Sequence, residues 1–138
     1  MSYKFLDHAT DAIIEVTAKD LKEAFAVTAD AVINLTLDQD KVEEKDQKEF
    51  SAKGKDLRYL LFSWIEEVTF VLITEGFAIR RVEFDIKENE GYEIFAKAYG
   101  EPLDFHKHNF KVEIKAPTFY DMEIRHDEGV FMRFLLDL

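Results

Sequence analysis

The segment between Asp56 and Gly76 constrains the fold more than any other part of the sequence. Asp56 is a typical helix cap and Gly76 a typical helix stop, so the pattern predicts one long helix between them. Its apolar residues cover an unusually wide surface at helical spacing, formed by Leu57, Leu60, Leu61, Trp64, Ile65, Val68, Val71 and Leu72. Phe62, Phe70 and Ile73 lie off this surface. We therefore expect the helix to be covered on more than one side by a sheet, another helix or a second subunit. The breadth of this apolar surface favours a homo-oligomer.

A strand and another helix are predicted before this segment. The strand is indicated by apolar residues at every second position, namely Ala12, Ile14, Val16 and Ala18. Asp20 can cap the following helix, with Glu23 three residues further on. The apolar positions of that helix are Leu21, Ala24, Phe25, Thr28, Val32 and Leu35. We interpret the acidic residues 38–49 as a solvated connection, with a strand near residues 48–52.

The second half of the chain reads as a series of antiparallel strands. Alternating apolar residues predict strands over residues 82–86, 92–98, 110–116, 120–124 and 130–136. Helices grouped early and strands grouped late are typical of an α+β protein. We predict a single domain over residues 1–138, with two helices packed on one face of a largely antiparallel sheet.

The composition narrows the classes of function. The chain has 138 residues and a formal net charge of -11, which argues against direct nucleic-acid binding because phosphate backbones recruit basic surfaces. A basic protein partner or a metal cation fits this charge better. The absence of cysteine excludes thiolate metal sites and cysteine nucleophiles. No signal peptide and no apolar run of roughly 18 residues is found, so we expect no membrane association and a cytoplasmic location.

Two aspartates near the ends of the sequence are the strongest candidates for chemistry. If Ala12 and Leu136 face the core, Asp11 and Asp137 point to the opposite face. Asp137 is followed by Leu138, so a side-chain and a main-chain carboxylate lie one residue apart. Such hard oxygen donors suit Ca²⁺, Mg²⁺ or Mn²⁺, provided that the first and last strands are neighbours. Periodicity leaves this adjacency open, and solvated strand ends are the alternative.

The remaining candidates are weaker. His106 and His108 alternate as on a strand, but without cysteine or a third ligand at a recognisable spacing they do not indicate zinc. His8 lies close in sequence to Asp11 and could orient a ligand or act as a base, although a structural role is the simpler interpretation. Lys115, judged from its surroundings alone, is a solvated strand residue.

An ordered series of segments resembles the archease family. Residues 5–12 and 135–138 look like its start and finish, although the usual Asp-His-Thr-Ala-Asp reads Asp-His-Ala-Thr-Asp here. The other matching segments are residues 56–67, residues 96–101, His108 and Lys115-Ala116. The chain departs from the family after Ala116, where Pro117 replaces the valine of a Lys-Ala-Val-Thr-Tyr-His run. Proline is tolerated only at an edge strand or a bulge, so the local pairing is expected to differ.

The resemblance implies a function. Archeases are non-enzymatic proteins that promote guanylylation and multiple turnover of the tRNA-splicing RNA ligase. By this resemblance Asp11, Asp137 and Leu138 would hold a divalent cation, with Ca²⁺ favoured over Mg²⁺ or Mn²⁺. Lys115 would contact the partner's phosphate-bearing active site, and His8 is a further candidate. The alternatives are a chaperone or specificity modulator of another RNA-modifying enzyme, such as a tRNA methyltransferase, and a small metal-dependent phosphoesterase.

Overall fold

A computed structural model describes residues 1–6 and 11–138 of the chain. The strands in these ranges are β1 Ser2–Leu6, β2 Asp11–Ala18, β3 Asp46–Gly54, β4 Phe77–Glu88, β5 Tyr92–Pro102, β6 Ala116–Arg125 and β7 Val130–Asp137. The helices are α1 Leu21–Thr36 and α2 Leu57–Thr69. A single 3-10 turn spans Gln39–Lys41, and a π-helical turn over Phe70–Thr74 continues α2. Neither helix in these ranges is long and apolar enough to cross a membrane.

The strands form two antiparallel sheets. The larger sheet has the strand order β1-β2-β7-β6, and the smaller sheet has the order β3-β5-β4. Helix α1 contacts β2 of the larger sheet and β4 of the smaller one, while α2 contacts β6 and β3. Each helix therefore packs against both sheets. The predicted α+β class is confirmed, with the strands divided between two sheets.

Both helices begin at the predicted caps. The Asp20 carboxylate accepts the N–H of Glu23 at 2.8 Å, and Asp56 accepts the N–H of Tyr59 at 3.0 Å. The π-helical turn after α2 ends before Gly76, whose φ of 61° is the left-handed conformation that favours glycine. Local sequence therefore fixes where these helices start and stop.

Trp64 lies at the centre of the core. Its indole is fully buried, and the Nε1–H donates to the Phe25 carbonyl at 2.9 Å. The ring lies 5.5 Å from Phe50 on β3 and 4.8 Å from Phe84 on β4, measured between centroids. The two sheets and α1 thus cover α2 on several sides within one chain. The breadth of its apolar surface no longer requires a second subunit, and the homo-oligomer stays a prediction.

The strand predicted over residues 110–116 is wrong. Pairing with β7 starts only at Ala116, and the preceding residues form an extended segment without strand pairing. The N–H of Phe110 donates to Phe105 in the preceding turn, and the N–H of Lys111 donates to the Thr36 carbonyl at the end of α1. The alternation reflects side-chain burial, since Ile114 is buried between the exposed Glu113 and Lys115, and not pairing of the backbone in a sheet. The short strand β1 was not predicted.

Candidate metal and partner site

Asp11 and Asp137 face each other across the two central strands of the larger sheet. β2 pairs with β7, and the register places Asp11 opposite Asp137 at the end of both strands. Directly opposite residues of an antiparallel pair have Cα atoms about 4.5–5.5 Å apart and side chains on the same face. The neighbouring Ala12 and Leu136 are buried, so the aspartates lie on the face away from the core. The structure therefore shows that β2 and β7 are neighbours, which the sequence periodicity left open.

The chemistry of this pair suits a hard cation. Two carboxylates placed directly opposite each other present their oxygens on one face, and carboxylate oxygens are ligands for hard divalent ions. Asp137 is exposed and Leu138 is half-buried directly after it. Among the described residues no group of three or more His, Asp or Glu side chains could hold a metal. A cation here would therefore need further oxygen donors from the main chain, from Leu138 or from water.

Lys115 lies beside the aspartate pair. Its N–H donates to the Asp137 carbonyl at 2.8 Å, and the following Ala116 is the strand partner of Asp137. The Lys115 side chain is exposed. The structure thus brings together Asp11, Asp137, Leu138 and Lys115, which we call the candidate site. His8, the other predicted candidate, lies outside the described residues.

Pro117 occupies the kind of position expected for it. It lies on β6, an edge strand of the larger sheet, where a missing N–H costs little. Pairing with β7 becomes irregular between Thr118 and Glu123, and Asp121 has a positive φ of 57° within this interval. The edge strand is therefore regular at Ala116 and Pro117, beside the candidate site, and irregular further along.

The structure contains a buried histidine–carboxylate pair that was not predicted from the sequence. His108 is fully buried in a turn, so its predicted strand alternation with His106 is wrong. Its Nδ1 accepts the N–H of Asp104 at 3.0 Å, and its Nε2 lies 2.9 Å from the Glu101 carboxylate. Because Nδ1 is an acceptor, Nε2 carries the proton and donates to Glu101. The only sequence signal was a Gly-Glu pair followed by a histidine.

Glu101 is held as a charged group inside the protein. Burial raises the pKa of its carboxyl group, but the Glu43 N–H, His108 and Lys107 stabilise the anion and lower that pKa to about 2. The Glu43 N–H lies 2.9 Å from one carboxylate oxygen, and the Lys107 ammonium lies 3.0 Å from the other. The Asp38 N–H donates to the His108 carbonyl, which ties this network to the segment after α1. The pair lies at the end of β5 in the smaller sheet and supports structure there.

The fold and the candidate site together define a small α+β domain whose candidate acidic site lies where β2 pairs with β7. The family model described as the archease protein family (MTH1598/TM1083) matches residues 3–138. The chain therefore belongs to the archease family, as its sequence motifs predict.

Relatives of the chain match most or all of its length. It is 38% identical to "Protein archease" of Pyrobaculum islandicum, covering 100% of this chain and 96% of that protein. It is 34% identical to "Protein archease-like" of Drosophila melanogaster, covering 92% of this chain and 82% of that protein. The solution structure of Methanobacterium thermoautotrophicum protein 1598 superposes with a TM-score of 0.80 at 29% identity, covering 99% of both chains.

Proposed function

We propose that this protein is a non-enzymatic cofactor of the tRNA-splicing RNA ligase. It would promote guanylylation of the ligase and sustain multiple turnovers. Membership of the archease family supports this role in general terms. The observation that carries it is the cross-strand pair of Asp11 and Asp137, with Leu138 directly after it and Lys115 on the neighbouring strand edge.

In this proposal Asp11, Asp137 and the main-chain carboxylate of Leu138 hold a divalent cation. Such an ion supplies positive charge that can organise phosphate oxygens during phosphoryl or nucleotidyl transfer. The pairing of β2 with β7 fixes the spacing of the two aspartates before any cation binds. The exposed Lys115 adds a second positive charge at the same end of the sheet, in reach of a partner's phosphate group.

The overall charge favours a protein partner with a basic surface. The formal net charge of -11 would speed the encounter with a basic ligase and disfavour direct contact with RNA. The protein would then act by bringing its candidate site to the ligase, while the ligase carries the nucleic acid.

The test is ligase turnover with Asp11→Ala and Asp137→Ala at saturating concentration. We expect each variant to lose the stimulation by at least about tenfold, which corresponds to roughly 1.4 kcal/mol. Asp127→Ala is the matched control because Asp127 is exposed in the turn between β6 and β7. Thermal melts should show stability changes within about 0.5 kcal/mol, as for other surface substitutions.

The results of this test distinguish the proposed function from the alternative functions. Full stimulation by both site variants would contradict the proposed role of the aspartates and favour a chaperone or specificity modulator. Hydrolysis of phosphoesters by the isolated protein, lost in Asp137→Ala, would instead favour a metal-dependent phosphoesterase. Loss of stimulation together with unfolding would show that the aspartates are structural.

A further inference from the structure

A groove runs along the seam between α2 and the edge strand β6. Its volume is about 350 Å³, and we call it the seam groove. One wall comes from α2 and the π-helical turn, with Glu66, Thr69, Phe70 and Ile73. The other wall is the extended segment 113–117, which leads into β6. A groove of this size has room for one or two side chains of a bound protein.

Thr69 leaves a polar group without a partner in this groove. Its side chain is 8% exposed, and its Oγ1 makes no hydrogen bond with any described residue. A threonine in a helix normally bonds to the carbonyl one turn earlier, so an unpaired buried hydroxyl needs an explanation. This oxygen has almost no accessible surface, so Thr69 is a polar position inside the groove wall and not a contact offered to a partner.

The apolar wall of the groove is also exposed. Phe70 is 48% exposed at the first position of the π-helical turn, and Ile73 is half-buried beside it. Turns of this kind inside helices occur frequently at functional sites. A half-exposed aromatic ring beside an apolar side chain gives a bound protein an apolar surface to pack against, as aromatic residues do at protein interfaces.

Charge identifies the kind of side chain that would fit. Glu66 and Glu113 are exposed at the rim and outnumber Lys115, the cation among the lining residues. Burial, followed by repulsion from Glu66 and Glu75, raises the pKa of the nearby Glu67 carboxyl group, so negative charge is concentrated at this end of α2. A side chain with an apolar stem and a cationic N–H end would pack on Phe70 and donate to Glu66.

The seam groove lies at the same end of the larger sheet as the candidate site, on the face that α2 covers, whereas the aspartates lie on the opposite face. Lys115, Ala116 and Pro117 form part of its wall, and Ala116 is also the strand partner of Asp137. We propose that the seam groove docks an apolar segment of the ligase that carries a basic side chain. This inference rests on the proposed function, because it assigns a surface that would hold the ligase at this end of the sheet.

The experiment measures equilibrium binding of the intact protein to the ligase, alongside ligase turnover. Phe70→Ser and Glu66→Lys should each weaken binding by about tenfold or more. Phe95→Ser is the matched control, since Phe95 is 57% exposed on the smaller sheet and should bind normally. Phe70→Ser should recover full stimulation at saturating concentration, whereas Asp137→Ala should bind normally without stimulating.

Two results would overturn the docking surface alone: unchanged affinity in both groove variants, or an equal loss in Phe95→Ser. If Phe70→Ser fails to fold, the binding of Glu66→Lys tests the docking surface instead, because the Glu66 side chain is exposed and its replacement should leave the core intact. Wild-type protein that neither binds nor stimulates the ligase would overturn the proposed function, and the docking surface with it. If the wild type stimulates the ligase and the groove variants bind it normally, the proposed function is supported and only the docking surface is contradicted.

Discussion

The carboxylates of Glu101 and of the aspartate pair lie in different surroundings. Glu101 is enclosed by a histidine, a lysine and a backbone N–H, which compensate its charge inside the protein. Asp11 and Asp137 lie opposite each other on neighbouring strands, with Asp137 exposed. The network around Glu101 stabilises the fold, while the oxygens of Asp137 are accessible to an added cation.

Replacing Glu101 by glutamine should lower the free energy of unfolding by about 2 kcal/mol at pH 7, since bonds to a charged acceptor are lost. The native pKa of about 2 lies below the ordinary 4.5, so this stabilisation is complete above pH 4.5. It should disappear as the pH falls from 4.5 towards 2. Denaturant melts of both proteins across this range measure the difference.

The control for that experiment is Glu49→Gln, an exposed position on β3. Its unfolding free energy should differ from wild type by no more than about 0.5 kcal/mol at any pH. A difference between wild type and Glu101→Gln that stays constant with pH would contradict the assigned ionisation of Glu101.

At the scale of elements, the local sequence predicts the helix caps and the strand alternation well. It does not predict which strands pair. The caps at Asp20 and Asp56 and the alternation in β2 depend on near neighbours, and each was found where the sequence indicates it. Residues 110–115 show the same alternation, yet the N–H groups of Phe110 and Lys111 bond to a turn and to the end of α1, and that of Lys115 is the first to bond to β7. Alternation reports which side chains are buried, whereas strand pairing depends on partners distant in sequence.

The candidate site, too, could be predicted only in part from the sequence. The outward direction of Asp11 and Asp137 followed from the alternation of their strands. Their adjacency did not, because it requires β7 to lie next to β2 rather than beside β6 alone. The burial of His108 against Glu101 could not be predicted either, since a turn after β5 creates that contact.

Two glycines should respond very differently to alanine. At Gly100 on β5 an added Cβ would lie 1.8 Å from the Ala78 carbonyl oxygen on β4, so the strands must separate. We expect Gly100→Ala to lower the free energy of unfolding by about 3 kcal/mol. Gly76→Ala meets no atom within 4 Å and should cost only about 1 kcal/mol for its left-handed backbone. Equal costs in thermal or urea melts would contradict this difference.

At the scale of the whole molecule, the formal net charge of -11 means that the proposed cation would stabilise the folded protein as well as serve the proposed function. A cation that binds the folded protein alone should raise the melting temperature, by the equivalent of about 2.7 kcal/mol at a hundredfold excess over the dissociation constant. Titration with Ca²⁺, Mg²⁺ and Mn²⁺ should show this shift in wild type and Asp127→Ala. Asp11→Ala and Asp137→Ala should lose it.

A short extension after Leu138 provides a second comparison in the same titration. It converts the main-chain carboxylate of that residue into a peptide carbonyl, a weaker ligand for a hard cation. The melting shift should become smaller without vanishing. A shift equal to that of wild type would exclude Leu138 as a ligand through this group.

The central place of β7 in the larger sheet ties the candidate site to a late segment of the sequence. β7 lies between β2 and β6, so without it β1 and β2 form a bare hairpin and β6 has no strand partner. Asp11 emerges early from the ribosome, but its counterpart arrives only with the end of β7. A chain truncated before β7 therefore carries half of the candidate site.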